Sequence, residues 1–116
     1  MTVPKREQRT HLEPDVAAAI ARRFDGDAAL YRTFAADCAV QFGLDAAAGQ
    51  RACAAGDLVG LRRLAHDLRS ALVMLGHERI GGLAARVEAH AAAGDLASAR
   101  MSWRRLRSAL LGLNAR

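Results

Sequence analysis

A chain of 116 residues, 52% of them apolar, is long enough for one domain around one modest core. Alanine and leucine dominate, β-branched residues are sparse, and both prolines, Pro4 and Pro14, fall at the start, which excludes a sheet and leaves room for long helices. Seventeen lysines and arginines against twelve acids give a net charge of +5, which calls for an anionic partner without choosing between nucleic acid, an acidic membrane surface and an acidic protein site.

Residues 1–13 are polar and charged, with Lys5, Arg6, Glu7, Gln8 and Arg9 in a row, and read as a flexible tail ahead of a helical domain over 14–116. Pro14 and Asp15 open a short helix in which Val16, Ile20 and Phe24 repeat every fourth residue. Asp25-Gly26-Asp27 breaks it, and Asp27 caps the next helix. This second helix is predicted over Ala28–Ala54, with Leu30, Phe34, Cys38 and Phe42 as its apolar stripe and with Gly43 and Gly49 as points where it bends or frays. Gly56 ends it and Asp57 caps the third helix, the clearest of all, where Leu58, Leu61, Ala65, Leu68, Leu72 and Leu75 alternate by three and four. Gly76 stops that helix. A fourth runs over Glu78–Ala93 with Ile80, Leu83 and Val87 inward. After Gly94 and the capping Asp95, a fifth carries Leu96, Ala99, Trp103, Leu106, Leu110 and Leu113 on its seam, which makes Trp103 a core residue.

Short turns make consecutive helices antiparallel, so the expected fold is all-α: an up-down-up-down four-helix bundle with the short first helix over one end. Cys38 and Cys53 lie fifteen residues apart on one helix, about 22 Å at 1.5 Å per residue, too far to pair. No metal-ligand spacing surrounds them, and they read as small core residues in a reducing compartment. No signal peptide is visible and no apolar run approaches membrane-spanning length, so a soluble cytoplasmic domain is expected.

On a wheel of the third helix, the apolar seam is centred roughly 130° from His66, which turns the histidine out of the core or onto its rim. Val59, Arg62, Arg63, Arg69, Ser70 and Val73 share its outward face. A neutral imidazole nitrogen is a competent nucleophile, and attack on a phosphoryl group needs little beyond positioning and help with spread negative charge. Arg69 one turn on and Arg62 one turn back can offer guanidinium forks to phosphate oxygens. Ser70 is small enough to let a bulky partner close in. Val59 and Val73 give apolar docking area amid charge, with Arg63 beside them. By position alone, a histidine among arginines is most often a merely solvated residue. The same bland reading holds for His11 in the tail, His77 at a turn and His90 near the edge of the fourth helix.

The residues around His66 single it out. Ala65-His66-Asp67-Leu68-Arg69-Ser70, with Leu75-Gly76 ten positions past the histidine, resembles the signature of histidine-containing phosphotransfer (HPt) domains: alanine-histidine-x-leucine-lysine-glycine, then leucine-glycine. Leu83 and Val87-Glu88 resemble the family's leucine and hydrophobic-glutamate positions on the next helix, and the likeness extends over residues 30–92. Arg69 stands where lysine is usual and Ser70 where glycine is usual, and Val73 is larger than the small residue often found there.

The resemblance implies a non-catalytic phosphoryl carrier, in which His66 is the phosphoacceptor, Arg69 with Arg62 neutralises phosphate, and Val59, Arg63, Ser70, Val73 and Gly76 dock the partner. Such domains take phosphoryl from a receiver-domain aspartate and pass it to another response regulator. The receiver brings the acidic pocket and the magnesium ion, so the chain itself is expected to hold no cofactor or metal. The implied partners are response-regulator receivers, and a hybrid sensor kinase that carries such a domain; the implied state is a monomer, with neither nucleic acid nor membrane involved. The basic face around His66 then gives the positive charge an acidic receiver mouth as its partner.

Two rival readings remain. His66-Asp67-Leu68-Arg69-Ser70-Ala71-Leu72 also resembles the phosphoacceptor box of sensor histidine kinases, but Ala71 replaces the helix-bending proline, and the chain supplies four long helices itself rather than a hairpin that dimerises. The net charge suits a basic nucleic-acid-binding or scaffold domain, but there is no helix-turn-helix spacing, and Phe34 and Trp103 occupy seam positions rather than stacking platforms.

Overall fold

The computed structural model describes residues 14–114, and the secondary structure among them is five α-helices with no strand. They are α1 (Pro14–Arg23), α2 (Ala28–Ala55), α3 (Leu58–Met74), α4 (Glu78–Ala92) and α5 (Leu96–Asn114). The predicted polar tail lies outside the described residues. Aspartates begin three of the helices: Asp27 accepts from the Leu30 N–H at 3.0 Å, Asp57 from Gly60 at 2.9 Å and Asp95 from Ser98 at 3.0 Å. Gly56 and Gly94 sit at φ 68° and 75°, the left-handed conformation that lets a helix end tightly, so the connections stay short.

Each long helix packs on the next in sequence, and α5 returns against α2, so α3 and α5 take opposite corners of the bundle. Arg100 donates through Nε and Nη2 to the Cys53 carbonyl at 3.0 and 2.9 Å, Trp103 donates to Gln50 Oε1 at 3.4 Å, and Asn114 donates to the Ala39 carbonyl at 3.0 Å. Numbers rise along α5 as they fall along α2, so these two helices run antiparallel. Leu61, Ala65, Leu68 and Leu72 of α3, Ala84 and Val87 of α4, and Ala99, Trp103, Leu106 and Leu110 of α5 are at most 1% exposed. Each leucine so buried contributes about 2 kcal/mol of transfer free energy. Leu58, Leu83, Leu96 and Leu113, also expected inward, are half-buried at the edges of these seams.

The expected stripe of α2 is corrected. Leu30 is 53% and Phe34 37% exposed, Cys38 is half-buried, and only Phe42 of the four is buried. A strict every-fourth repeat rotates by about 40° per step, so it starts off the seam and drifts onto it. The seam itself follows three-four spacing through Tyr31, Ala35, Cys38, Phe42, Ala46, Gly49 and Cys53. Both cysteines are free thiols on this one helix. α2 also runs unbroken through Gly43 and Gly49. Gly49 is buried for a different reason: a Cβ there would land on the Trp103 ring. It is the notch that admits the largest core side chain.

α1 is fastened near the end of α3. Phe24 meets Tyr31 edge-to-face with ring centroids 5.3 Å apart, the Tyr31 hydroxyl donates to the Leu75 carbonyl at 2.6 Å, and Arg23 donates to the Val73 carbonyl at 2.9 Å. Gly76, at φ 84°, is buried against the Asp15 carbonyl and Val16, where a Cβ would collide with backbone.

Candidate functional site

The inward leucines of α3 fix its rotation, and that rotation leaves His66 on the surface with 53% of its side chain exposed. The neighbouring helix α4 presents Glu88 to it. Oε2 of Glu88 lies 3.0 Å from His66 Nδ1, and Oε1 lies 3.3 Å from Arg69 Nη1. Glu88 is only 20% exposed, and its Oε1 is buried with no partner at hydrogen-bond geometry, so Arg69 meets it as a charge contact rather than an aligned hydrogen bond. A carboxylate only accepts, so Nδ1 carries the hydrogen of a neutral His66, and Nε2 is left with its lone pair. One carboxylate thus sets the tautomer of the histidine and holds the nearest arginine.

Glu88 was not among the site residues expected from sequence. It stands 22 positions from His66 on another helix, and only its place in the hydrophobic-glutamate pair marked it.

The other expected residues divide. Val59 is 73% exposed, and Arg62, Arg63 and Ser70 are exposed on the same helix. Ser70 donates its hydroxyl back to the His66 carbonyl at 3.2 Å, so the group stays close to the helix surface. Val73 is half-buried and leans over Gly81 of α4, where an added Cβ would come within 3.1 Å of its methyl. Gly76 is corrected: it is buried under α1 and offers no docking surface.

Of the other histidines, His11 lies outside the described residues. His77 is half-buried at the start of α4, and His90 Nδ1 lies 3.1 Å from the Ser102 hydroxyl. No group of three or more histidine, cysteine or acidic side chains among the described residues is placed to hold a metal.

The expectation that the net charge gathers around His66 is also corrected. Acids interleave with the arginines there: Glu88 faces Arg69, and exposed Asp67 lies near enough for its charge to bear on Asp45 of α2. Burial raises the Asp45 carboxyl above the usual carboxylate range, with the Asp67 charge adding to it and a hydrogen bond from Gln41 opposing. Five of the seventeen basic residues (Arg100, Arg104, Arg105, Arg107 and Arg116) and none of the twelve acids lie after position 95, which leaves twelve of each up to and including it. The excess belongs to the last helix and the end of the chain, and the corner that α5 occupies is opposite α3.

The Hpt domain family model matches residues 29–115. No curated protein and no solved structure matches the chain.

Proposed function

The chain belongs to the Hpt domain family, whose members are phosphocarriers in two-component signalling rather than catalysts, and on that premise we propose that it accepts a phosphoryl group on His66 from a receiver-domain aspartate and passes it to a response regulator. The observation that carries this reading is the half-exposed His66 ring with Nδ1 held by Glu88 at 3.0 Å.

Nε2 attacks the phosphorus of the receiver's aspartyl phosphate. The phosphorus–nitrogen bond forms as the phosphorus–oxygen bond breaks, and the aspartate leaves as a carboxylate. No proton need move: Nδ1 keeps its hydrogen, the ring becomes cationic, and the Glu88 carboxylate faces that charge. Arg69, and Arg62 one turn back, neutralise phosphoryl oxygens. Val59, Arg63, Ser70 and Val73 form the docking surface. Transfer onward is the reverse of the same step. The magnesium ion belongs to the receiver, and the chain contributes only its own side chains.

The scaffold in this reading is the up-down-up-down bundle with α1 across one end, which the antiparallel run of α2 and α5 supports. No described helix is long and apolar enough to cross a membrane. We place the domain in the cytoplasm as a monomer that meets receivers, including those attached to hybrid sensor kinases.

The test is incubation with a panel of phosphorylated receivers. At least one should transfer an acid-labile, base-stable label to the wild-type chain and none to His66→Gln, whose fold should be unchanged. Label retained by that variant would assign the reaction to another side chain.

A further inference from the structure

The outer face between α4 and α5 has no part in the phosphotransfer reading. Between these helices lies a cleft walled by Leu83 and Met101, with Arg86 and Arg105 among its lining residues and His90 and Ser102 bonded to one another within it. Met101 is 59% exposed, a large apolar side chain left open to water, and Leu111 further along α5 is 42% exposed. The exposed Arg100 and Arg104 lie on the other flank of α5, toward Gln50 and Cys53 of α2, so Arg86 and Arg105 are the arginines of this cleft. No acid among the described residues lines the cleft, and Asp95 at the start of α5 is spent on capping Ser98, which holds its carboxyl below the usual range.

We propose that this face is a second docking surface, for an acidic protein segment whose apolar side chain enters the cleft beside Leu83 and Met101 while its carboxylates pair with Arg86 and Arg105.

Three observations select this occupant. The cationic groups are all arginine, whose planar fork matches a carboxylate with two parallel hydrogen bonds. An exposed methionine set among arginines has the composition of a protein–protein interface, where both residue types are enriched. The face also lacks what other polyanions use. The chain's one tryptophan, Trp103, is 1% exposed and offers no stacking platform to a nucleic acid. The apolar side of α5 is spent on the core, so little remains for insertion into a bilayer. Because α3 and α5 occupy opposite corners, a receiver at His66 and a segment on this face can be bound together.

The test is a fluorescence anisotropy titration with a labelled peptide of repeated Glu-Glu-Leu-Glu, compared with an all-glutamate peptide, random duplex DNA and phosphatidylserine vesicles. The leucine-bearing peptide should bind most tightly and weaken with salt. The all-glutamate peptide should bind about tenfold more weakly, the apolar side chain supplying the difference. Arg86→Glu combined with Arg105→Glu should weaken binding by about tenfold or more through like-charge repulsion, and Met101→Ser should weaken it while salt dependence persists. Backbone amide shifts on titration should fall on α4 and α5. Label acceptance at His66 in the arginine double variant should be unchanged, and peptide binding by His66→Gln should be intact, so this surface and the phosphotransfer reading stand or fall separately. Failure of the leucine-bearing peptide to bind, equal binding of the two peptides, tighter binding of DNA or vesicles, or shifts centred on α3 would each overturn the proposal.

Discussion

Replacing Glu88 by glutamine keeps an oxygen beside His66 Nδ1 and removes the charge. In the proposed transfer the imidazole is neutral before attack and cationic after it, so a facing carboxylate favours the product state more than an amide does. Unit charges 3.0 Å apart attract by about 1.4 kcal/mol even at the dielectric constant of water, which is about tenfold in an equilibrium. The solvent value is the proper floor because half of the His66 side chain is exposed; Glu88, at 20%, is less screened and pushes the figure upward. Glu88→Gln should therefore lower the equilibrium constant for forming phosphohistidine by about tenfold and slow the initial rate of label transfer by a smaller factor, with the melting temperature nearly unchanged. Glu88→Ala should lose more, since nothing then favours the tautomer with hydrogen on Nδ1. Transfer from a saturating phosphorylated receiver, followed over time, gives both quantities, and imidazole nitrogen chemical shifts report the tautomer. Wild-type yield and rate in Glu88→Gln would refute the electrostatic role. A faster rate would mean that the carboxylate acts mainly by sequestering Arg69.

Arg69→Ala should slow transfer with little effect on the melting temperature, since the side chain is 44% exposed and meets Glu88 as a charge contact rather than an aligned hydrogen bond; a large stability loss would show that this contact anchors α3 to α4. Gly49→Ala should cost about 2 kcal/mol in a urea titration, because the new methyl occupies the space of the Trp103 ring, while label acceptance at His66 persists in whatever fraction folds. Tyr31→Phe removes the hydroxyl that donates to the Leu75 carbonyl and should cost about 1 kcal/mol at neutral pH. Burial raises the Tyr31 phenol above the ordinary tyrosine value of 10.0, with Cys38 adding to it. Folding therefore favours the protonated phenol: this contribution is whole below that value and is lost as pH rises through the folded one. Stability of wild type should fall more steeply above pH 10 than that of Tyr31→Phe, by paired thermal melts.

How far the fold was legible depended on whether a helix's partners shared one seam. In α3 and α5 leucines alternate by three and four, and large apolar side chains mark the buried stripe directly, so the rotation of His66 followed from Leu61, Leu68 and Leu72. In α2 Phe42 is the one large, wholly apolar side chain among the buried residues, the rest being small or polar-tipped, Tyr31, Ala46, Gly49 and Cys53, while Leu30 and Phe34 stand outside the seam. Hydrophobicity alone then points to the wrong face. Phe34 is drawn out of line by Phe24, whose ring lies 5.7 Å away beside α1, a contact between elements that no single-helix pattern contains. Gly49 shows the same limit: a glycine within a helix reads as a weak point until Trp103, more than fifty residues on, is placed over it.

The site divides along the same line. The residues on successive turns of one helix, His66 with Arg62, Arg69 and Ser70, were visible as a cluster. Glu88, which crosses from another helix, was visible only as a resemblance with no role attached. Gly76 was misassigned because a glycine ten residues past the histidine serves the packing of α1 rather than the approach of a partner. The net charge was misplaced for a related reason: composition reports a sum, and the sum says nothing of where the unpaired part resides. Around His66 the arginines share the surface with Glu88 and Asp67, so the proposed nucleophile stands in a nearly balanced field, and in that reading a receiver's acidic pocket draws it mainly through Arg62, Arg63 and Arg69 at short range. The long-range field of the molecule instead arises from α5. An acidic macromolecule approaching at low salt is steered toward the corner opposite the histidine, so added salt should weaken binding on α5 more than it weakens receiver exchange at His66.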